Sequence, residues 1–410
     1  MRRTLTLLAA GNMLATFALA QVQHYRITDL GPVGPAPGEP NYIAGSGLAA
    51  GSAGTSDDKE HAVLWLGTHL LDLGAERLGG PNSQAFGVND VGQVVGEAQT
   101  AVANGEDFCG FTAMGFRPSE TACRPFIWQN GMIAELRNTL GGANAVANLI
   151  NNVGQVAGIA ETNLPETGCP VNQFKPVIWS NGNLRQLRTY GNDPDGGAFS
   201  INNRGQAVGA TGSCAPFNPN SQVYLFESHA VLWDADGSVR DLGSFGGTGG
   251  FAGNHACSIN SAGHVVGHSD AGGDTTTYGF LWTPQTGLRL LAPYSGDFAS
   301  LAISLNDRGD VVGSSFDASF NFRAVIWHNG VPADLNKLVA GESPLYLQLA
   351  TSINPGGVIV GIGQTSTGDV HGFAAIPAGG SDGGEHRVTP PVPSERALRM
   401  LLRRGGIRRR

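Results

Sequence analysis

Charge is scarce in this chain. Asp, Glu, Lys and Arg together make up 14% of the 410 residues, against a usual share of about 25%. With 41% apolar residues, this excludes a highly charged disordered polymer and leaves enough apolar surface for a sizeable core. Long apolar runs are missing as well. The stretch from Leu5 to Leu19 is interrupted by Gly11 and Asn12 and falls short of the ~20 residues that span a bilayer. It follows Arg2 and Arg3 and ends in Ala18-Leu19-Ala20, so residues 1–20 read as a secretory signal peptide cleaved before Gln21, with no transmembrane segment afterwards. Cysteine is limited to five residues, none in Cys-x-x-Cys spacing, which argues against a cysteine zinc site. No nucleophile elbow is present. The Asn-Asp-x-Gly strings match a calcium loop only in part, because Asn152, Asn203 and Ser261 stand where an acid would have to recur. The expectation is no metal, no cofactor and no catalytic set.

Basic charge is also short where it would matter for nucleic acid. Residues 21–378 hold 15 basic and 30 acidic side chains, a net charge of −15, which repels phosphate backbones. Basic residues collect instead at the end. Gly379-Gly380-Ser381-Asp382-Gly383-Gly384 reads as a linker, Pro390, Pro391 and Pro393 prevent regular structure, and an Arg-rich tail runs to Arg410. The expected organisation is therefore a signal at 1–20, a folded body at 21–378 and a flexible tail at 379–410.

What is abundant is glycine, 61 residues, and it is periodic. Gly87-Val88-Asn89-Asp90-Val91-Gly92-Gln93-Val94-Val95-Gly96 returns in register, ending at Gly158, Gly209, Gly267, Gly313 and Gly361, with a worn first copy ending at Gly51. The spacings of 45, 62, 51, 58, 46 and 48 residues suit four-stranded propeller blades. A second string, His61-Ala62-Val63-Leu64-Trp65, recurs in each copy and uses all six tryptophans, the seventh copy having Ala375 at that place. A third, Leu71-Asp72-Leu73-Gly74, follows the Trp. These pieces are short, rich in Val, Ile and Trp, and bounded by Gly and Asn, as strands are. Asn89-Asp90-Val91-Gly92 fits a tight hairpin. Each copy thus supplies four strands, and a sheet of four needs neighbours to cover both faces. The last copy stops after its third strand at Pro377, while Tyr25–Gly31 is a fourth strand without a blade. The fold expected is all-β: a seven-bladed β-propeller of four-stranded antiparallel blades, closed by the N-terminal strand completing the last blade.

The His-Ala-Val-Leu-Trp, Ile-Asn-x-x-Gly-x-Val-Val-Gly and Asp-Leu-Gly-x-x-Gly-Gly strings, the last at Asp241–Gly247, resemble the HAF-repeat family of probable extracellular proteins over about residues 24–377. The name motif is kept in part, since Arg124, Lys175, Tyr278 and Arg323 replace His at the start of the third strand. The resemblance implies secretion and a repeat fold, and carries over no catalytic residues.

Insertions fall in copies two, three and four, between the second and third strands, where long loops on a rigid scaffold commonly carry function. The expected role is binding or scaffolding, without enzyme activity, of a glycan or protein through Asp107, Phe108, Phe111, Phe116, Arg117, Phe217, Tyr224 and Phe226. Those aromatics serve equally as the loops' own small core. Four cysteines lie in the same insertions, and Cys109–Cys123 and Cys169–Cys214 are the expected disulfides, in keeping with a secreted or cell-surface location. Cys257 reads as a buried thiol. The residues at 61, 124, 175, 229, 278, 323 and 371 form a polar ring near that face, expected to bond neighbouring blades. His264 and His268 flank a turn and read as structural. The alternative is a polysaccharide hydrolase or lyase using Glu97, Asp107, Glu161 and Glu166. A third reading is a structural surface protein docking through its Arg tail. The chain is expected to be a monomer.

Overall fold

The computed structural model describes residues 23–33, 36–55, 59–104, 109, 121–214 and 228–379. The signal segment and nearly all of the tail lie outside them. Strand β1 (Tyr25–Val33) and the short β2 (Ala36–Pro37) precede the first complete sheet. Blade 1 comprises β3 (Glu39–Ile43), β4 (Leu48–Gly54), β5 (Glu60–Leu66) and β6 (His69–Asp72). Blade 2 comprises β7 (Ser83–Val88), β8 (Val94–Ala103), β9 (Thr121–Gln129) and β10 (Met132–Glu135). Blade 3 follows with β11 (Gly141–Ile150), β12 (Val156–Pro165), β13 (Asn172–Ser180) and β14 (Asn183–Gln186). Blade 4 has β15 (Asp195–Ile201), β16 (Ala207–Gly212), β17 (His229–Trp233) and β18 (Val239–Asp241). Blade 5 has β19 (His255–Ile259), β20 (Val265–Asp270), β21 (Thr277–Thr283) and β22 (Gly287–Leu291). Blade 6 has β23 (Ala299–Leu305), β24 (Val311–Phe316), β25 (Phe322–His328) and β26 (Val331–Asp334). Blade 7 contributes β27 (Tyr346–Ile353), β28 (Ile359–Gln364) and β29 (Val370–Pro377).

Every blade is an antiparallel meander, and the seventh takes β1 as its fourth strand, giving seven blades. Ile27 pairs with Ala375 and Asp29 with Phe373. The first strands of successive blades touch all the way round, β27 against β3 included. Closure removes the exposed sheet edges that an open row of blades would leave at its ends.

The repeated Asn explains how the ring is held. Its Oδ1 accepts a backbone N–H four residues on, as Asn89 does from Gln93 at 2.9 Å, which fixes the hairpin. Its Nδ2 donates into the next blade, to the carbonyl of that blade's own Asn. Asn89 reaches Asn151 (3.1 Å), Asn151 reaches Asn202 (2.9 Å), Asn202 reaches Asn260 (3.0 Å) and Asn260 reaches Asn306 (3.2 Å). Asn354 crosses the closing seam to Ala44 (3.2 Å). Asn306 departs from the pattern and turns its amide to Asp310. The worn first copy has Ala44 here and keeps only a second recurring contact, in which the Asp90 carboxylate accepts the Ser46 N–H at 2.9 Å as Asn152 accepts the Asp90 N–H and Asn203 the Asn152 N–H.

The glycine closing each second strand has an equally local cause. Each first strand carries a bulge, for example between Ala85 and Gly87. The strand backbone there presses onto the glycine, so that a Cβ on Gly96 would collide with the Gln84 carbonyl. The same holds for the first-strand carbonyls facing Gly51, Gly158, Gly209, Gly267, Gly313 and Gly361. Only glycine fits.

The core lies between blades. Trp233 of blade 4 packs with Ala157 and Ile178 of blade 3 and with Ala198, Ile201 and Val231 of its own. Trp65 and Ile43 of blade 1 pack on Val360 of blade 7, sealing the seam. In three blades the buried indole N–H is matched by the segment preceding the blade, Trp179 donating to the Arg137 carbonyl, Trp233 to Arg188 and Trp327 to Ala292, at 2.6 to 2.9 Å, whereas the Trp65 N–H is buried without a partner. Ala375 fills the seventh Trp place and is fully buried.

Replacing Asn202 by Ala removes one turn acceptor and one interblade donor, leaving their partners buried. We expect a loss of about 2 kcal/mol in chemical denaturation, against less than ~0.5 kcal/mol for the exposed Asn183→Ala control. Equal effects would remove the Asn chain from the list of interactions holding the ring.

Candidate functional site

Because the strands run antiparallel, the loops from second to third strand share one face with the connections between blades. The Asn hairpins occupy the other face. On the loop face, blades 2 and 3 send up arms. β8 and β9 stay paired as far as Ala103 with Thr121, and β12 and β13 as far as Pro165 with Asn172. β20 and β24 are six residues long, whereas β8 and β12 have ten, an excess of about 13 Å of strand at 3.3 Å per residue. Both arms are built alike. Thr100 Oγ1 donates across to the Ala122 carbonyl and accepts from Val102 N, while Thr162 does the same with Gln173 and Leu164. Val102 and Leu164 are left half exposed near the ends.

Two disulfides fasten this region, as expected. Cys109–Cys123 has a Cα–Cα distance of 5.6 Å and ties the insertion of blade 2 to β9. Cys169–Cys214 has 6.0 Å and straps blade 3 to blade 4. Asp107, Phe108, Phe111, Phe116, Arg117, Phe217, Tyr224 and Phe226, the residues expected to contact a ligand, lie outside the described residues.

The polar ring has a more local task than expected. His61 Nδ1 meets Asp72 Oδ2 at 2.6 Å, Arg124 lies 3.8 Å from Glu135, and His371 is 2.9 Å from Asp29. Arg323 holds Asp297 through two bonds of 2.9 and 3.0 Å and reaches Asp334 at 3.4 Å. For His61, Arg124 and His371 the partner acid sits on the blade's own fourth strand, because third and fourth strands are direct neighbours, whereas Arg323 reaches such an acid in Asp334 and bonds mainly to Asp297 on the connection from blade 5. Lys175 and His229 instead hold the connection between blades 3 and 4, through the Pro194 carbonyl and Asp193. Tyr278 makes a ring contact with Phe245. The Asp of the Asp-Leu-Gly string therefore does two jobs: in Asp72 one oxygen takes His61 and the other accepts the Gly74 N–H at 2.9 Å. The His61 bond is the main reason that the Asp72 carboxyl is held below the usual range.

The acids proposed for hydrolysis are absorbed by the scaffold. Glu161 Oε2 accepts from Ala143 N, Asn144 N and Asn144 Nδ2, all at 2.9 Å, and Oε1 accepts from Asn172. Glu97 is buried 3.3 Å from the Cys123 sulfur. Glu166 accepts from Ser213 Oγ at 2.6 Å and from Cys214 N at 3.1 Å. Asp107 lies outside the described residues.

One carboxyl that the sequence reading passed over stands out against the repeat. Asn82 and Asn144 sit before or within first strands, accept a third-strand N–H through Oδ1, and donate Nδ2 to Gln99 and Glu161 respectively. Blade 4 has Asp195 at this place, accepting Phe174 N at 2.7 Å. The partner position is Gly212, and Glu166 from blade 3 takes over. Asp195 Oδ2 and Glu166 Oε2 are both buried without a donor. A proton on Asp195 restores the hydrogen bond that Asn makes in blades 2 and 3. Burial first and Glu166 second raise the Asp195 pKa to about 8. Aligning the residues that precede each first strand would have exposed this Asn-to-Asp change.

No family model matches the chain, and no curated protein matches it. Among solved structures it is similar to the β-propeller domain of the Trilobed protease from Pyrococcus furiosus, at 10% identity and a TM-score of 0.49, covering 89% of this chain and 96% of that one. It is also similar to an oligogalacturonate lyase from Vibrio parahaemolyticus, at 12% identity and a TM-score of 0.45, covering 85% and 93%. For the Aleuria aurantia lectin the values are 8% and 0.36, covering 65% and 77%. The ring rests on the strand pairing above, not on these likenesses.

Asp195 gives a pH prediction. A carboxyl whose folded pKa exceeds its unfolded value of about 3.9 makes the folded state the better proton binder, so stability falls as pH rises from about 4 to about 8. Asp195→Asn keeps the donor at every pH. Thermal unfolding at pH 5, 7 and 9 should show the variant more stable by about 1 to 3 kcal/mol at pH 9 and nearly equal at pH 5. A constant difference across that range would dismiss the shared proton.

Proposed function

We propose that this chain is an exported, non-enzymatic binding propeller that takes a glycan or protein ligand on the loop face of blades 2 to 4. The observation that carries the reading is the pair of strand arms rising from blades 2 and 3, fastened by two disulfides at the base of the insertions. Disulfides of this kind belong to an oxidising compartment, and this supports export. No helix among the described residues is long and apolar enough to cross a membrane.

The hydrolase reading has one observation in its favour, the proton-sharing carboxyls of Asp195 and Glu166. A glycosidase pair needs room for a glycosidic oxygen and a water between its acids. Asp195 and Glu166 are 1% and 7% exposed, and Glu166 lies against the Cys169–Cys214 sulfurs. Binding is therefore the better supported role.

The test replaces residues 104–120 by a short Gly-Ser turn, together with Cys123→Ser, and compares binding on a glycan array and in a pull-down from envelope extract. Retention should fall at least tenfold while the melting temperature stays within a few degrees. A folded variant that binds as the parent does would move the site off this face.

A further inference from the structure

Blade 5 carries a cluster that the scaffold does not call for. His255 opens β19 and pairs directly across to His268 on β20, their ring centroids 3.9 Å apart at 66°. Cys257 occupies the bulge of the same first strand, and its Sγ lies 3.8 Å from His268 Nδ1. One donor atom from each residue falls within 4.8 Å of the other two. The positions paired like 255 and 268 hold Glu39 and Ser52, Gln84 and Glu97, Val146 and Ile159, Gly197 and Ala210, Leu301 and Ser314, and Leu349 and Ile362. None of these pairs contains an imidazole, and no other bulge position holds a cysteine, so neither the bulge nor the strand pairing demands this combination.

We propose that His255, Cys257 and His268 bind a zinc-class divalent ion at the channel side of blade 5, with a fourth position left open. Tetrahedral coordination with Zn–S near 2.3 Å and Zn–N near 2.05 Å separates sulfur from nitrogen by roughly 3.6 Å. The observed 3.8 Å is close to that edge and long for a thiol hydrogen bond. His268 Nε2 lies 3.3 Å from the Ala252 carbonyl. Donation of Nε2–H to that oxygen leaves the Nδ1 lone pair facing Cys257, which is how metal-bound histidines are usually oriented. His268 is fully buried. His255 and Cys257 are half-buried on β19, one of the first strands that meet around the ring axis. Two other clusters of metal-binding residue types contain the disulfide sulfurs in place of thiolates, and the fourth includes the His61–Asp72 pair already assigned to the blade.

On binding, the Cys257 thiol gives up its proton, the thiolate donates an electron pair to the ion, and no oxidant is involved. The experiment titrates the chelator-treated full chain, disulfides intact and air excluded, with Co²⁺ as the spectroscopic probe and then with Zn²⁺. One Co²⁺ per chain should bind with a thiolate-to-cobalt charge-transfer band, and Zn²⁺ should displace it. Calorimetry in two buffers should register proton release. Cys257→Ser should abolish the band, and Cys257→Ser and His255→Gln should each weaken Zn²⁺ at least tenfold while keeping the parent melting temperature. Binding without the charge-transfer band, or Zn²⁺ affinity unchanged in both variants, would overturn the site.

Discussion

A side-chain amide reaching from one blade to the backbone of the next is the constraint on which the ring depends. A four-stranded meander has no intrinsic reason to stop at a given angle to its neighbour, since apolar faces slide. In five of the seven hairpins the Asn converts contact into register, because its two polar ends are spent on two different blades. Asn202 cannot hold its own turn and reach the Asn260 carbonyl unless both blades sit at one spacing. Present at five of the seven junctions and carried across the seam by Asn354, this sets the closing geometry that β1 then completes.

The same device accounts for why the fold was legible from the sequence. Features that recur because the backbone demands them leave a periodic trace: the Asn, the glycine under the bulge, the Trp and the Asp of the fourth strand. The split blade was readable because Tyr25–Gly31 has fourth-strand chemistry in the wrong place. The disulfides were readable because four cysteines fell in three insertions. What escaped was of two kinds. Cross-strand pairs between distant residues, such as His255 with His268, have no sequence spacing of their own, and the nearer His264 was the tempting partner. Replacements that preserve a role through a change of protonation, such as Asp195 for Asn, look like ordinary acids until their neighbours are seen.

Seven copies of one unit also provide an internal control that a single-copy fold lacks. A polar group with counterparts in other blades is accounted for by the scaffold, and this is why Glu161, matched in its cap by Gln99, carries no catalytic weight. The buried Asp270, which accepts the N–H groups of Phe251, Ala252 and Gly253, belongs with them. A group without counterparts needs a separate cause. By that criterion the molecule departs from its own pattern at the arms of blades 2 and 3, at Asp195 with Glu166, and at the sulfur and imidazoles of blade 5.

These departures share a side. On the hairpin face most turns are tied to the next by these amides, so a change in one turn acts on its neighbour. On the loop face the blades are joined by their connections, by caps such as Asn144 with the Cys123 N–H and by the Cys169–Cys214 strap, while other groups close within one blade, as Asp72 does with His61 and Gly74. Insertions there lengthen β8 and β12 without disturbing the pairing of Val94 with Trp128 or Val156 with Trp179 at the far end. Sequence change is thus inexpensive on one face and costly on the other. A propeller built this way lengthens its strands and adds groups without counterparts at one end of its blades, and that asymmetry, rather than any single side chain, is the physical reason to seek recognition on the loop face.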